Sequence, residues 1–168
     1  MDSSSLRELQ GPLKERYKSD PDAAVITLKA KGSLDDESIA CKVETGRALA
    51  IAGLHPATGG SGRELCSGDM LLEALVACAG VTLKAVSTAL EIALKSGEGS
   101  AEGDLDFRGT LAVAKDAPVG FREIRLNFKI ETDAPQEKLD QLLKLTERYC
   151  VVYQTIRSGP KVDVKLTR

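Results

Sequence analysis

The sequence predicts an α+β domain, because its strands come in runs rather than alternating one by one with helices. Segments of alternating apolar and polar residues lie on both sides of one long apolar segment, residues 70–94. A charged amphipathic segment follows near the C-terminus. After the first residues the predicted order is β-β-β-α-β-β-α-β, within a chain of 168 residues that suits one domain.

Composition and charge exclude several classes of protein. Apolar residues make up 42% of the chain and charged residues 29%, with a formal net charge of −2, which are ordinary globular values. Lysines and arginines are scattered, so we expect no nucleic-acid and no membrane partner. The first residues mix both charges and lack the apolar core of a signal peptide, so we expect a cytoplasmic protein with reduced cysteines.

An amphipathic helix is predicted at the N-terminus. Leu6, Leu9 and Leu13 recur at helical spacings among charged residues, and the turn around Pro21 ends the pattern. We interpret residues 1–22 as a helical extension and residues 23–168 as the main domain.

Three strands are predicted next, at residues 24–32, 37–46 and 47–54, because β-branched and apolar residues alternate with polar ones. Turn residues separate them, which favours a meander. Residues 55–69 are rich in glycine and are expected to form a long structured loop. His55, in this loop, is interpreted as a base for a nearby cysteine or as a capping residue.

The apolar segment 70–94 predicts a helix, with Ser67 or Asp69 able to cap its start. Apolar residues cover nearly its whole circumference, which predicts a central, buried helix. Charged residues interrupt it, which argues against a membrane span. At about 100° per residue, one face of this helix consists of Leu71, Ala74, Leu75, Cys78, Val81, Thr82 and Ala85.

The second half predicts a hairpin and two helical pieces. Residues 103–115 and 121–132 alternate as two strands. Pro135 is expected to open a helix that ends near Cys150, and residues 151–156 continue as a second helical piece. Residues 161–168 alternate again and predict a closing strand.

The four cysteines carry most of the chemistry that the sequence offers. If the fold brings Cys78 and Cys150 together, they can attack an oxidant and then close a disulfide, which is a two-electron cycle without metal or cofactor. The alternative is that Cys78 is a small apolar core residue and Cys150 fills a gap at a helix end. For Cys41 and Cys66 we favour structural roles.

No metal or cofactor is expected. The sequence has no C-x-x-C pair and a single histidine, which does not fit the usual local spacing of zinc ligands. A reactive thiolate needs a nearby cation or helix N-terminus to lower its pKa. The candidate cations are Arg47, Arg63, Arg148 and Arg157.

Two segments resemble the OsmC/Ohr family of osmotically inducible proteins and organic hydroperoxide reductases. They are GDMLLEALVACAGVTL, with Cys78 at the reactive position, and RYCVVYQTI, with Cys150 at the resolving position. The resemblance implies antiparallel strands around two central helices in an intertwined homodimer. It also implies an antioxidant role in oxidative stress, with organic hydroperoxides as substrates, a peroxiredoxin-type thiol activity and a lipoyl-type dithiol as reductant.

The chain departs from this family at two positions. The family's glutamate, ten residues before the reactive cysteine, is replaced by Gly68, with Asp69 one position away. The family's arginine in the N-terminal strands has no counterpart around Lys31. The alternative function is therefore a small-molecule binding or redox-sensing protein of the same fold, without turnover.

Overall fold

The fold mixes helices and strands and confirms the α+β prediction. The computed structural model describes residues 2–20, 31–34, 40–44, 49–112 and 114–168. These residues form two compact units. The first unit comprises Met1–Leu9, Ala74–Ser100 and Asn127–Arg168, and the second comprises Gln10–Glu73 and Ala101–Leu126.

The predicted N-terminal helix is confirmed as α1, Ser3–Ser19. The Asp2 carboxylate accepts a hydrogen bond from the backbone N–H of Ser5 at 2.8 Å, which caps the first turn. Within the first unit, the Ser3 hydroxyl also donates a hydrogen bond to the carboxylate of Glu91, which lies near the end of the long apolar segment of the chain, at 2.9 Å. The predicted domain boundary at residue 22 lies outside the described residues and stays a prediction.

The predicted meander is confirmed in strands β1 (Lys31–Leu34), β2 (Ala40–Glu44) and β3 (Leu49–Gly53). The strands pair antiparallel in chain order. Residues 24–30 of the first predicted strand lie outside the described residues.

The glycine-rich segment is more regular than the long loop that the sequence predicts. A 3₁₀ turn spans Pro56–Thr58, and the His55 ring nitrogen Nδ1 caps it by accepting from the Ala57 N–H at 3.0 Å. Strand β4, Leu65–Cys66, then pairs parallel with β3. Cys66 therefore lies in a short strand at the edge of the sheet rather than in a loop.

The long apolar helix, α2, spans Ser67–Ala89, so it begins and ends earlier than predicted. Its buried residues follow one stripe: Leu75, Ala79, Leu83, Val86 and Ser87. The prediction that the helix is buried all round is wrong within the chain, since Val81 is 72% exposed. Length and composition would also let α2 cross a membrane, but core helices of soluble proteins meet the same criteria.

Strand β5 occupies Ser96–Asp104, where the sequence predicted the end of a helix and a turn. It pairs with β6, Glu123–Glu131, which the sequence placed correctly. The bond from Lys95 N–H to the Glu131 carbonyl (2.8 Å) at one end and that from Arg122 N–H to the Asp104 carbonyl (2.8 Å) at the other make the pair antiparallel.

Glycines explain why the pattern in β5 was missed. A Cβ on Gly103 would lie 2.5 Å from the Phe121 ring, and one on Gly99 would lie 3.0 Å from the Phe128 ring. Because aromatic rings rest against the backbone of β5, the strand needs glycine where an ordinary strand has apolar side chains.

The strand predicted over residues 103–115 is wrong beyond Asp104. Residues Phe107–Thr110 form a short helix, α3, because the Asp106 carboxylate accepts from the Arg108 N–H at 3.1 Å and caps it. The Asp106 carboxylate also receives the Arg108 guanidinium, and this hydrogen bond holds the pKa of Asp106 at about 2.

The two predicted C-terminal helices are confirmed as α4, Gln136–Tyr149, and α5, Val151–Ser158. Residues 159–168 have no regular structure, so the predicted closing strand is wrong within the chain. The alternating pattern is present, but a strand also needs a neighbour, and Val162, Val164 and Leu166 remain exposed. The first unit's core consists of Leu83, Val86, Ile92 and Leu142.

Candidate functional site

A buried stripe on α4 ends at Cys150. Leu142, Thr146 and Cys150 are spaced by four residues, so they share one helix face, and each is at most 2% exposed. The Thr146 hydroxyl donates to the Leu142 carbonyl at 2.8 Å, and the Cys150 N–H donates to the Thr146 carbonyl at 3.0 Å. Cys150 is therefore fixed at the end of a packed helix face.

Cys150 also forms the corner between α4 and α5. Its backbone is extended, with φ −73° and ψ 110°, which ends one helix and begins the next. The Cys150 Sγ accepts from the Tyr153 N–H at 3.4 Å and caps α5. The Gln154 amide donates to the Glu147 carbonyl at 2.7 Å and ties the first turn of α5 to the last turn of α4.

Cys78 lies on α2 in the same unit and is half-buried. The Thr82 hydroxyl donates to the Cys78 carbonyl at 2.8 Å. Its neighbours along the chain, Ala77, Ala79 and Gly80, have small side chains or none.

The structure brings the Cys78 sulfur to the first turn of α5. Burial raises the pKa of Cys78, but hydrogen bonds from the Val152 N–H, the Cys150 thiol and the Val151 N–H outweigh burial and lower it. The Thr82 hydroxyl adds a smaller lowering effect. These N–H groups belong to the helix start, where no carbonyl within the helix can accept from them.

The pKa of Cys150 moves in the opposite direction. Burial raises it most, the Tyr153 N–H partly offsets this, and the neighbouring Cys78 raises it further. At a given pH, Cys78 is thus the preferred thiolate and Cys150 the thiol that donates to it. Such a division into nucleophile and protonated partner is what thiol chemistry with two sulfurs requires.

The first turn of α5 therefore serves both sulfurs, and side-chain patterns alone did not reveal it. Val151, Val152 and Tyr153 act through their backbone, which any residue except proline supplies. The sequence did signal a helix N-terminus directly after Cys150, a group that lowers a thiol pKa, but it did not show that this group acts chiefly on Cys78.

Arg63, Arg148 and Arg157, the described arginines among the candidate cations, are not among the groups that shift the pKa of Cys78. Among the described residues, the groups that lower the pKa of Cys78 are backbone N–H groups and neutral side chains. Arg148 instead lies over the Tyr149 ring, 5.6 Å from its centroid. Arg63 and Arg157 are exposed, and Arg47 lies outside the described residues.

The other predicted residues, Cys41, Cys66 and His55, belong to the second unit. Cys41 is in β2, opposite Ala52 of β3, and Cys66 is a free thiol in β4. The His55 ring stacks on Phe107 at 4.9 Å, in keeping with its capping role. Among the described residues, no cluster of three histidine, cysteine or acidic side chains could hold a metal ion.

A groove of about 500 Å³ adjoins the corner at Cys150. It is open to solvent, yet Cys150 itself is only 1% exposed. The groove is lined by Arg148, Tyr149, Cys150, Val151, Gln154, Thr155, Ser158 and Pro160.

Comparison with protein families identifies one match. A family model described as OsmC-like protein matches residues 60–165, a range that contains Cys78, Cys150 and all of α2, α4 and α5. No curated protein sequence is significantly similar to the chain.

Several solved structures share the fold at low sequence identity. An OsmC-like protein from Mycoplasma pneumoniae matches with a TM-score of 0.66 and 16% identity, covering 80% of this chain and 89% of that one. An organic hydroperoxide resistance protein from Elizabethkingia anophelis matches at 0.64 and 15%, covering 80% and 91%. One from Legionella pneumophila matches at 0.62 and 18%, covering 80% and 92%.

Proposed function

Because the chain belongs to the OsmC-like protein family, we propose that it is a thiol-dependent peroxidase that reduces organic hydroperoxides during oxidative stress. One observation supports this most directly: the start of α5 and the Cys150 thiol hydrogen-bond to the Cys78 sulfur and lower its pKa. The low-identity structural neighbours include organic hydroperoxide resistance proteins, which is consistent with a peroxide-related role.

In the first step the Cys78 thiolate attacks the outer oxygen of the hydroperoxide. The O–O bond breaks, an S–O bond forms, and the alcohol leaves after taking up a proton. Cys78 is oxidised to a sulfenic acid, while the hydroperoxide is reduced by two electrons. The N–H groups of Val151 and Val152 stabilise the attacking thiolate.

In the second step Cys150 attacks the Cys78 sulfenic acid. An S–S bond forms, the S–O bond breaks and water leaves, with the Cys150 proton going to the departing oxygen. The pKa of Cys150 is raised largely by burial and partly by the neighbouring Cys78. Oxidation of Cys78 removes that part of the effect, so Cys150 ionises more readily at the point where it is needed.

The proposed assembly is a homodimer. We place it in the cytoplasm, and we propose a dithiol such as a lipoyl group as its reductant. The support for a second copy is the C-terminal segment, where the apolar residues Val162, Val164 and Leu166 are exposed. A group of exposed apolar side chains of this kind is expected to be covered. Light scattering on the purified protein measures the mass, and a monomer would contradict this part of the proposal.

A redox sensor without turnover is the second candidate, and Gly68 favours it. At this position the resemblance predicts a glutamate, but the space around Gly68 is bounded by Phe121, Cys66 and Leu105. Without a carboxylate there, peroxide attack depends, among the described residues, on the α5 donors and the Cys150 thiol. A sensor would form the disulfide once and would not consume further hydroperoxide.

The test measures consumption of cumene hydroperoxide with excess dithiothreitol. The wild type is expected to consume it steadily, Cys78→Ser to show no protein-dependent consumption, and Cys66→Ser to match the wild type. Equal rates of hydroperoxide consumption for wild type and Cys78→Ser would overturn the proposal that the protein is a peroxidase. A single turnover that stops at the Cys78–Cys150 disulfide, despite reductant, would support the sensor.

A further inference from the structure

The two sulfurs differ in how far a second molecule can reach them. Cys150 is 1% exposed and lies at the end of the buried stripe formed with Leu142 and Thr146. Cys78 is half-buried in the described chain. An oxidised protein must be reduced by an external thiol, so access decides which sulfur that thiol attacks.

Thiol–disulfide exchange constrains the direction of attack. The incoming thiolate approaches one sulfur along the S–S axis, from the side away from the other sulfur. Cys150 offers little room for this approach, because the Tyr153 N–H contacts its sulfur at 3.4 Å and the residue is 1% exposed, although an open groove adjoins it. Cys78 is half-buried in the described chain, so part of its surface remains within reach of an incoming thiol.

We propose that the external reductant attacks Cys78, so that the mixed disulfide forms on Cys78 and Cys150 is the leaving thiolate. This inference rests on the proposed function, because it concerns the disulfide which that function produces. A bond forms between the reductant sulfur and Cys78 Sγ, and the Cys78–Cys150 bond breaks. A dithiol reductant then closes its own disulfide with its second sulfur and releases the Cys78 thiolate.

The first turn of α5 can receive the leaving thiolate. The N–H groups of Tyr153 and Val152 both lower the pKa of Cys150. The opposing effect of the Cys78 thiolate is absent while Cys78 carries the reductant. Cys150 therefore leaves as a better-stabilised thiolate than its pKa in the reduced protein suggests.

Leaving-group chemistry favours the opposite direction of attack. Exchange runs faster when the sulfur that leaves has the lower pKa, which by itself favours attack on Cys150 and release of Cys78. Control by access places the reductant on Cys78, whereas control by the leaving group places it on Cys150. The inference is that burial of Cys150 outweighs the leaving-group preference.

The experiment maps the mixed disulfide in a Cys41→Ser/Cys66→Ser background. Diamide forms the Cys78–Cys150 disulfide independently of peroxide, 2-mercaptoethanol opens it, and excess N-ethylmaleimide stops the reaction within seconds. Peptide mapping should find mercaptoethanol on Cys78 and maleimide on Cys150. This pair of adducts should be more than about ten times as abundant as the reverse pair, as expected when access limits exchange. The reverse pattern, or equal amounts, would overturn the inference.

Single-cysteine variants give a second reading that does not need the disulfide. In the same background, Cys150→Ser and Cys78→Ser each keep one thiol, and 5,5′-dithiobis(2-nitrobenzoate) measures its reactivity. The variant that keeps Cys78 should react about ten times faster or more, because buried thiols exchange slowly. Equal rates would contradict the inference.

The outcomes also separate this inference from the peroxidase. If peroxide fails to oxidise the pair but diamide succeeds, the peroxidase is wrong and the mapping still decides the direction of attack. If diamide also forms no disulfide between Cys78 and Cys150, the inference fails as well.

Discussion

Replacing Val151 with proline removes one hydrogen-bond donor to the Cys78 sulfur and changes little else. Val151 is the first residue of α5, where an N–H has no partner within the helix and proline is well tolerated. Cys150 already has the extended backbone that proline requires of the residue before it. The Val151 side chain is 68% exposed, so little packing is lost.

The expected effect is a rise in the pKa of Cys78. A hydrogen bond to a charged group contributes about 1.5–3 kcal/mol, and one pKa unit corresponds to about 1.4 kcal/mol. Because Cys78 is half-buried, water replaces part of the lost bond, and the rise is smaller than the loss of a fully buried bond would cause. The Val152 N–H and the Cys150 thiol remain as donors, which also limits the change.

The assay is the rate of Cys78 alkylation by iodoacetamide as a function of pH, followed by peptide mapping. Val151→Pro should react about three to ten times more slowly than wild type below the Cys78 pKa, and the curves should converge at high pH. Val151→Ala is the matched control, because it loses the side chain but keeps the N–H. Superimposable curves for the proline and alanine variants would refute the role of this donor.

Two further predictions concern packing in the two units. Gly103→Ala places a Cβ 2.5 Å from the Phe121 ring and should lower the free energy of unfolding by about 1–3 kcal/mol, whereas Gly97→Ala, 3.4 Å from Ile130, should cost less. Leu142→Ala should cost about 2–5 kcal/mol, because Leu142 is 1% exposed in the core. Urea titration measures both; equal costs for the two glycine variants, or a negligible cost for Leu142→Ala, would contradict the described packing.

The sequence predicted the helices around the sulfur pair because local signals define them. Pro135 marks the start of α4, the leucine spacing marks its buried face, and Gly159 marks the end of α5. These signals placed Cys150 at the helix junction, and the resemblance to the OsmC/Ohr family identified Cys78 as its partner. The predicted roles of the two cysteines, as attacking and resolving thiols, stay a prediction.

The remaining errors arise where structure depends on non-local contacts. Strand β5 has glycines in place of an apolar pattern, because aromatic rings fill their space. Residues 161–168 carry the pattern of a strand, but the described chain gives them no partner. The α5 donors are backbone groups, so the composition of the segment did not reveal that they lower the pKa of Cys78.

The most direct test of the central claim is the product formed when reduced protein meets one equivalent of cumene hydroperoxide without reductant. The account predicts a protein two hydrogen atoms lighter, one equivalent of cumyl alcohol, and a disulfide that peptide mapping assigns to Cys78 and Cys150. Cys150→Ser should instead retain a sulfenic acid on Cys78. Unchanged thiols and intact hydroperoxide, or a disulfide between other cysteines, would contradict the claim that these two residues form the redox pair.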